Sequence, residues 1–264
     1  MKTTYQRSAL RFIGCLFLLS AFSLTVKAQA PEYYYRIRIF HYKTQAQEDR
    51  LDKYLKNALL PALHRAHIPK VGVFKPIDQD TTDRKIFVLI PFKTLDEFEN
   101  TRGRVWNDKQ YLADGKDFID AEYNDPLYTR IEVIVLRAFQ KWPAPTEPQL
   151  TANKSDRVYE LRSYESSSEK LNINKVKMFN DGGETALFKR LNFNAVFYAE
   201  VMAGSHMPNL MYMTTFENKA DRDKHWDTFG NDPEWKALVA KPEYAHNVSK
   251  ADITFLHPTE YSDF

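Results

Sequence analysis

Three groups of residues in this chain have types and spacing suited to chemistry. In "RVYELRSY", residues 157–164, Glu160, Arg162 and Tyr164 alternate with Tyr159, Leu161 and Ser163. Period two puts the first three on one face of a strand. A carboxylate, a guanidinium and a phenol on one face can form an internal ion pair. They can equally hold an anionic or carbonyl-bearing ligand, because the guanidinium fork matches a carboxylate bidentately. Arg36 and Arg38 in "EYYYRIRIFHY" repeat the pattern, Glu132 stands in "RIEVIVLRAF", and Glu200 follows Val196 and Tyr198 on one face of "NAVFYAEVM". The apolar set Tyr159, Leu161 and Ser163 is expected to meet helices, which turns Glu160, Arg162 and Tyr164 toward the interior of the sheet assembly. An unpaired buried guanidinium is expensive, so Arg162 is expected within reach of Glu160 or Glu200.

The second group is "DRDKHWDTFGNDPEW", residues 221–235. Asp221 and His225 are four apart and could share a metal, but a third and a fourth ligand are missing from that helix face. Arg222, Trp226 and Phe229 fall on one side at three-and-four spacing and are expected to dock the helix. Gly230 suits a left-handed helix stop, Asp232 an N-cap and Pro233 the first turn of a new helix. The stretch therefore reads as a docking device, and no metal site is expected. The third group is histidine. His41 ends the first strand as a rim acid or base, His64 and His67 sit near a helix end, and His206 lies in the hairpin loop "AGSHMPN". No zinc-protease spacing, nucleophile elbow or phosphate-binding glycine loop occurs. "NDGG", residues 180–183, breaks a helix, as a corner or as the edge of a pocket mouth.

The chain opens with Lys2, Arg7 and Arg11 ahead of the apolar run "FIGCLFLLSAFSLTV" and the small-residue sequence "VKA". That order predicts a signal peptide over residues 1–28, cut after Ala28, and a secreted or periplasmic protein. The run is too short to span a bilayer, and no membrane span is expected in the mature chain. Removing residues 1–28 takes away Lys2, Arg7, Arg11 and Lys27 and no acid, turning a formal charge of +2 into −2. Basic and acidic residues are interleaved, which argues against a nucleic-acid partner. Cys15, the one cysteine, leaves with the leader. Thiol catalysis, iron–sulfur clusters and zinc thiolates are excluded with it.

These residues must be positioned by two similar halves. "KWPAPTEPQLTANKSD", residues 141–156, has the prolines and polar residues of a linker. Before it, strand-like "EYYYRIRIFHY", a helix over about 45–66 that Pro61 kinks or restarts, "VGVFKPI", "KIFVLIPF", a helix from about Leu95, a polar excursion over 109–128 and "RIEVIVLRAF" give the order βαββαβ. After it, "RVYELRSY", a helix over 169–191, "NAVFYAEVM", "LMYMTTFE", a helix over 219–229 and "ADITFLH" give that order again. The expected fold is α+β: two tandem ferredoxin-like modules, 29–140 and 157–264, whose bare sheet faces bury each other as a pseudo-dimeric α/β barrel.

The sequence resembles the NIPSNAP family, in its bacterial secreted form with two tandem modules. The resemblance is carried by "YELRSY" at Tyr159, "KMFNDGGETALFKR" at Lys177, "MPNLMYMTTFE" at Met207 and the stretch from Asp221. It implies the dimeric α/β-barrel fold and does not dictate an activity. Two functional classes follow. One is a binding protein that holds a small aromatic or anionic molecule in the barrel through Arg38, Glu160, Arg162, Tyr164 and Glu200, without a cofactor. The other is a cofactor-free monooxygenase or isomerase, with Arg162, Tyr164 or His41 as polar partners of a substrate enolate. Haem ranks behind both for want of a histidine inside a strand, and self-association is compatible with either.

Overall fold

The computed structural model describes residues 32–264; the leader expected over residues 1–28 lies outside them. The first half contains β1 (Tyr34–Tyr42), α1 (Gln45–Tyr54), α2 (Leu60–Arg65), β2 (Gly72–Pro76), β3 (Arg84–Phe92), α3 (Leu95–Trp106), α4 (Lys109–Asp114), α5 (Lys116–Ile119) and β4 (Arg130–Ala138). The second contains β5 (Val158–Glu165), α6 (Glu169–Asn180), α7 (Glu184–Arg190), β6 (Phe197–Ala203), β7 (Asn209–Phe216), α8 (Lys219–Asn231), α9 (Pro233–Val239) and β8 (Lys250–Pro258).

The strands close a barrel in the order β1-β3-β2-β8-β5-β7-β6-β4, each pair antiparallel. Within it the first half runs β4-β1-β3-β2 and the second β8-β5-β7-β6, the same sequence of roles. The seams are β2 with β8 and β4 with β6. Closure gives every described strand a partner on both sides, although the seams are short, three register pairs between β2 and β8 and four between β4 and β6.

Local chemistry sets the helix ends. Thr44 caps α1 with a reciprocal bond to Gln47, and Thr94, Ser168 and Asn218 cap α3, α6 and α8 through their side chains. Between α1 and α2 the chain passes through a π-helical turn, Leu55–Leu59, with Pro61 just inside α2. Pro61 lacks an N–H and cannot continue a regular α-helical ladder; the wider turn accommodates it. Gly230 departs from expectation, since α8 runs through it to Asn231. Asp232 caps α9 as expected, accepting from the Glu234 and Trp235 amides, with Pro233 in the first turn. The segment after β4 is strapped down more tightly than a linker: Thr146 N–H donates to Val196, and the Thr151 and Ala152 amides donate to Glu217.

Two apolar layers alternate through each strand. Tyr35, Ile37 and Ile39 join Phe74, Tyr159, Leu161, Phe197, Met211 and Leu256 in a cluster inside the barrel that both halves share. The opposite faces pack on helices, Phe40, Tyr42 and Val88 with α1 and α2, and Tyr212, Leu210 and Val158 with α7 and α8. This corrects the expected facing of β1 and β5. The interior takes the more apolar face of each strand, with His41, Glu132 and Ser163 toward one mouth, and Arg36, Arg38, Glu160, Arg162 and Tyr164 point outward under the helices. Charge is tolerated there because neighbouring residues supply partners.

Candidate functional site

Glu160 is fully buried and entirely committed. Its carboxylate accepts from Arg162 Nε at 2.6 Å, from Arg222 Nε and Nη2 at 2.8 Å each and from Trp226 Nε1 at 2.7 Å. Arg162 in turn donates to Tyr164 Oη at 2.7 Å, which meets Tyr212 Oη at 2.8 Å, and its guanidinium lies 3.6 Å from the Trp226 ring centre. The expected pairing of Arg162 with Glu160 is present. Glu200 lies elsewhere, on the outer face of β6, bonded to Arg137 at 2.9 Å. Arg38 lies under the helices of the other half, 4.8 Å from the Phe40 ring. Of the five expected site residues, the structure brings together Glu160, Arg162 and Tyr164.

Arg162 and Tyr164 border a cavity of about 750 Å³ between β5 and the second half's helices. Trp226, Phe229, Trp235, Phe188, Met178, Tyr244 and Val248 line it as well. The 221–235 stretch is thus both a docking device and a cavity wall. Trp226 reaches Glu160 while its ring packs on Phe188 and Phe193 at 5.7 and 4.9 Å. His225 leans on Phe193 and Phe216 and bonds the Asp221 carbonyl at 2.9 Å, away from the cavity.

Two further residues face this space that strand reasoning missed. Lys175 on α6 and Glu184 at the start of α7 are 4 % and 2 % exposed and form an ion pair at 2.9 Å. The Lys175 ammonium also sits 4.8 Å from the Phe179 ring centre. Burial raises the Glu184 carboxyl above its ordinary pKa, against the opposing pull of Lys175 and Arg162. Among the described residues the other carboxylate oxygen has no hydrogen-bond donor, and Glu184 lines the cavity. The signal lay in "NDGGE": Gly183, at φ +90°, turns the chain between α6 and α7 and places Glu184 at the cavity. The break expected there is both a helix corner and a pocket edge.

The barrel mouth holds a smaller space of about 310 Å³. His41 lies there as a rim residue, Nδ1 2.7 Å from Asp83 and Nε2 3.1 Å from Glu132. His206 reaches Glu165 at 2.9 Å, and with Asp252 these three place one ligand atom each within 4.8 Å of one another. Lys250 lies on both carboxylates, at 3.4 and 2.9 Å, and supplies the cation that cluster requires.

An eight-stranded antiparallel barrel built from two βαββαβ units, with a sheet-to-helix cavity, is the dimeric α/β-barrel class with both units in one chain. Residues 159–263, in the second half, match the NIPSNAP family. The chain matches no curated protein. Its fold is similar to two provisionally named monooxygenases. One, from Lactobacillus acidophilus NCFM, is 12% identical with a TM-score of 0.53, covering 86% of this chain and 93% of that one. The other, from Fusobacterium nucleatum, is 8% identical with a TM-score of 0.53, covering 86% and 92%. A NIPSNAP family protein from Agrobacterium tumefaciens C58 aligns at 19% identity over 40% of this chain and 96% of its own, with a TM-score of 0.35.

Proposed function

We propose that the chain binds a small organic molecule with an apolar body and an ionisable oxygen in the sheet-to-helix cavity of its second half. One observation carries this. Lys175 and Glu184, a nearly buried ion pair, face an open cavity, while Leu51 and Leu60 hold the same positions in the first half. Leu51 and Lys175 stand the same number of residues after the N-caps Thr44 and Ser168, and Leu60 and Glu184 are the first residues of α2 and α7. A buried ion pair rarely stabilises a fold more than well-packed apolar residues do. Its presence only beside the cavity is best explained by a ligand. The volume suits a drug-sized molecule, and aromatic walls with few convergent polar groups are what such sites require. Arg162 borders the space but spends its fork on Glu160 and Tyr164, so the ligand's oxygen falls to Lys175 and Glu184.

A second reading rests on Glu184. A carboxyl whose pKa is raised by burial is a suitable general base near neutral pH, and cofactor-free proton abstraction, as a monooxygenase or isomerase requires, would start there. We extend the proposal to origin and destination: the two halves descend from one NIPSNAP-type module, and the chain is exported with its leader cut after Ala28. N-terminal sequencing of envelope protein should read from Gln29, and a chain still starting at Met1 refutes export. For the ligand, untargeted mass spectrometry should find compounds released by the parent and missing from the Lys175→Leu/Glu184→Leu double variant. Identical releases from both chains would sink the binding proposal.

A further inference from the structure

The space that is empty in the second half is filled in the first by the chain itself. Arg38 stands opposite Val88 on β3 and Val133 on β4, as Arg162 stands opposite Tyr212 on β7 and Ile253 on β8. Phe40 therefore corresponds to Tyr164. Tyr54 and Met178 stand at the same distance after the N-caps Thr44 and Ser168, and Tyr128 and Val248 at the same distance before β4 and β8. Tyr164, Met178 and Val248 all line the cavity. Their counterparts all touch one ring, that of Phe118 on α5. It lies 3.7 Å from Tyr54 in a parallel stack at 6°, 6.0 Å from Phe40 and 5.5 Å from Tyr128.

The polar excursion between α3 and β4 delivers that ring. In the second half α9, capped by Asp232 as α4 is capped by Asp108, takes the place of α4, but α5 has no α-helical counterpart: the turn at Pro242–Tyr244 leads to β8, leaving the corresponding space open. We infer that Phe118 marks the position of a ring in the missing occupant, and that the second half takes a planar aromatic molecule. The ring lies between Tyr164, Met178 and Val248, and its acidic hydroxyl or carboxylate is directed toward Lys175. Offset or parallel stacking is available there to a flat ring, and a puckered ring of equal size gains less from it. This rests on the proposed cavity function and narrows it to a ligand class.

The probe is 4-fluorophenol, followed by fluorine NMR on the full mature chain. It should bind saturably, once per chain, and binding should vanish in Val248→Trp, which fills the cavity. Phenol should displace it at about tenfold lower concentration than cyclohexanol does. No saturable binding, equal competition by cyclohexanol, or binding that survives Val248→Trp would each overturn the ring assignment. A released compound that depends on Lys175 and Glu184 but lacks an aromatic ring would overturn it too, while leaving the cavity function standing.

Discussion

Replacing Lys175 and Glu184 separately and then together separates a ligand-directed pair from a structural one. Lys175→Leu strands a carboxylate whose side chain is 3 % exposed, and Glu184→Leu strands an ammonium whose side chain is 5 % exposed. Removing one partner of a buried pair costs about 3–5 kcal/mol, on the order of 10 °C in melting temperature for a chain of this size. The double variant Lys175→Leu/Glu184→Leu leaves nothing uncompensated and copies Leu51 and Leu60 of the first half. It should melt within a few degrees of the parent, or above it. Its Glu160 cluster, Arg162–Tyr164 bond and cavity walls are untouched, so any loss of ligand is chargeable to the pair alone. Thermal melts of the four chains, run with and without 4-fluorophenol, give the stability cycle and the ligand-induced shift together. The expected pattern is two damaged singles, a restored double, and a ligand shift only in the parent. A double as unstable as the worse single would show that the pair is needed by the fold, and the case for a ligand built on it would collapse.

Glu160 and Arg162 should differ in cost. Arg162→Leu leaves Glu160 with Arg222 and Trp226 and should cost about 1–2 kcal/mol, whereas Glu160→Leu abandons two guanidinium groups and an indole N–H and should cost about 3–5 kcal/mol; chemical denaturation showing the reverse order would refute the assigned network. For pH, the Glu184 carboxyl is raised above its ordinary 4.5 in the folded chain. The stability it contributes is therefore complete below that value and declines as pH rises through the raised folded pKa, so the parent should lose stability relative to Glu184→Gln over that window, and a flat difference between the two would contradict the shift. Separately expressed residues 29–145 and 150–264 should aggregate or associate, because each exposes half of the barrel cluster; two well-behaved monomers would count against the shared core.

The order of elements was legible because each carries a local signal: β-branched and aromatic runs for strands, Asp232 and Pro233 for a helix start, and prolines for the segment after β4. Repetition of βαββαβ then implied the barrel. What alternation could not decide was which face of β1 and β5 turns inward, because the charged face of each strand also carries large apolar residues, Phe40 and Tyr42 on β1 and Val158 and Tyr164 on β5. Tyr35, Ile37 and Ile39 compete with Phe40 and Tyr42 for burial, and period two divides the sets without ranking them. The outcome depends on partners distant in sequence: Arg222 and Trp226 lie on another helix from the Glu160 they satisfy. The Lys175–Glu184 pair was hidden for a similar reason, since two polar residues on either side of a glycine corner read as exposed until α6 and α7 are folded over the sheet.

The two halves apply one scaffold to opposite ends. In the first, α4 and α5 fold back over the sheet, Phe118 seals the space against Tyr54, and the helix positions nearest it are Leu51 and Leu60. Every choice there favours packing, at the expense of any accommodation for a guest. In the second, α9 stands where α4 stands but α5 has no α-helical counterpart, the facing positions carry charge, and Glu160 draws Arg162, Arg222 and Trp226 into a wall beside the opening. Under the proposed binding function that wall positions a guest, where the first half is closed instead. The rigid half supplies the second with two seams and a shared core, so the cavity can stay open without the βαββαβ unit that holds it having to be stable alone.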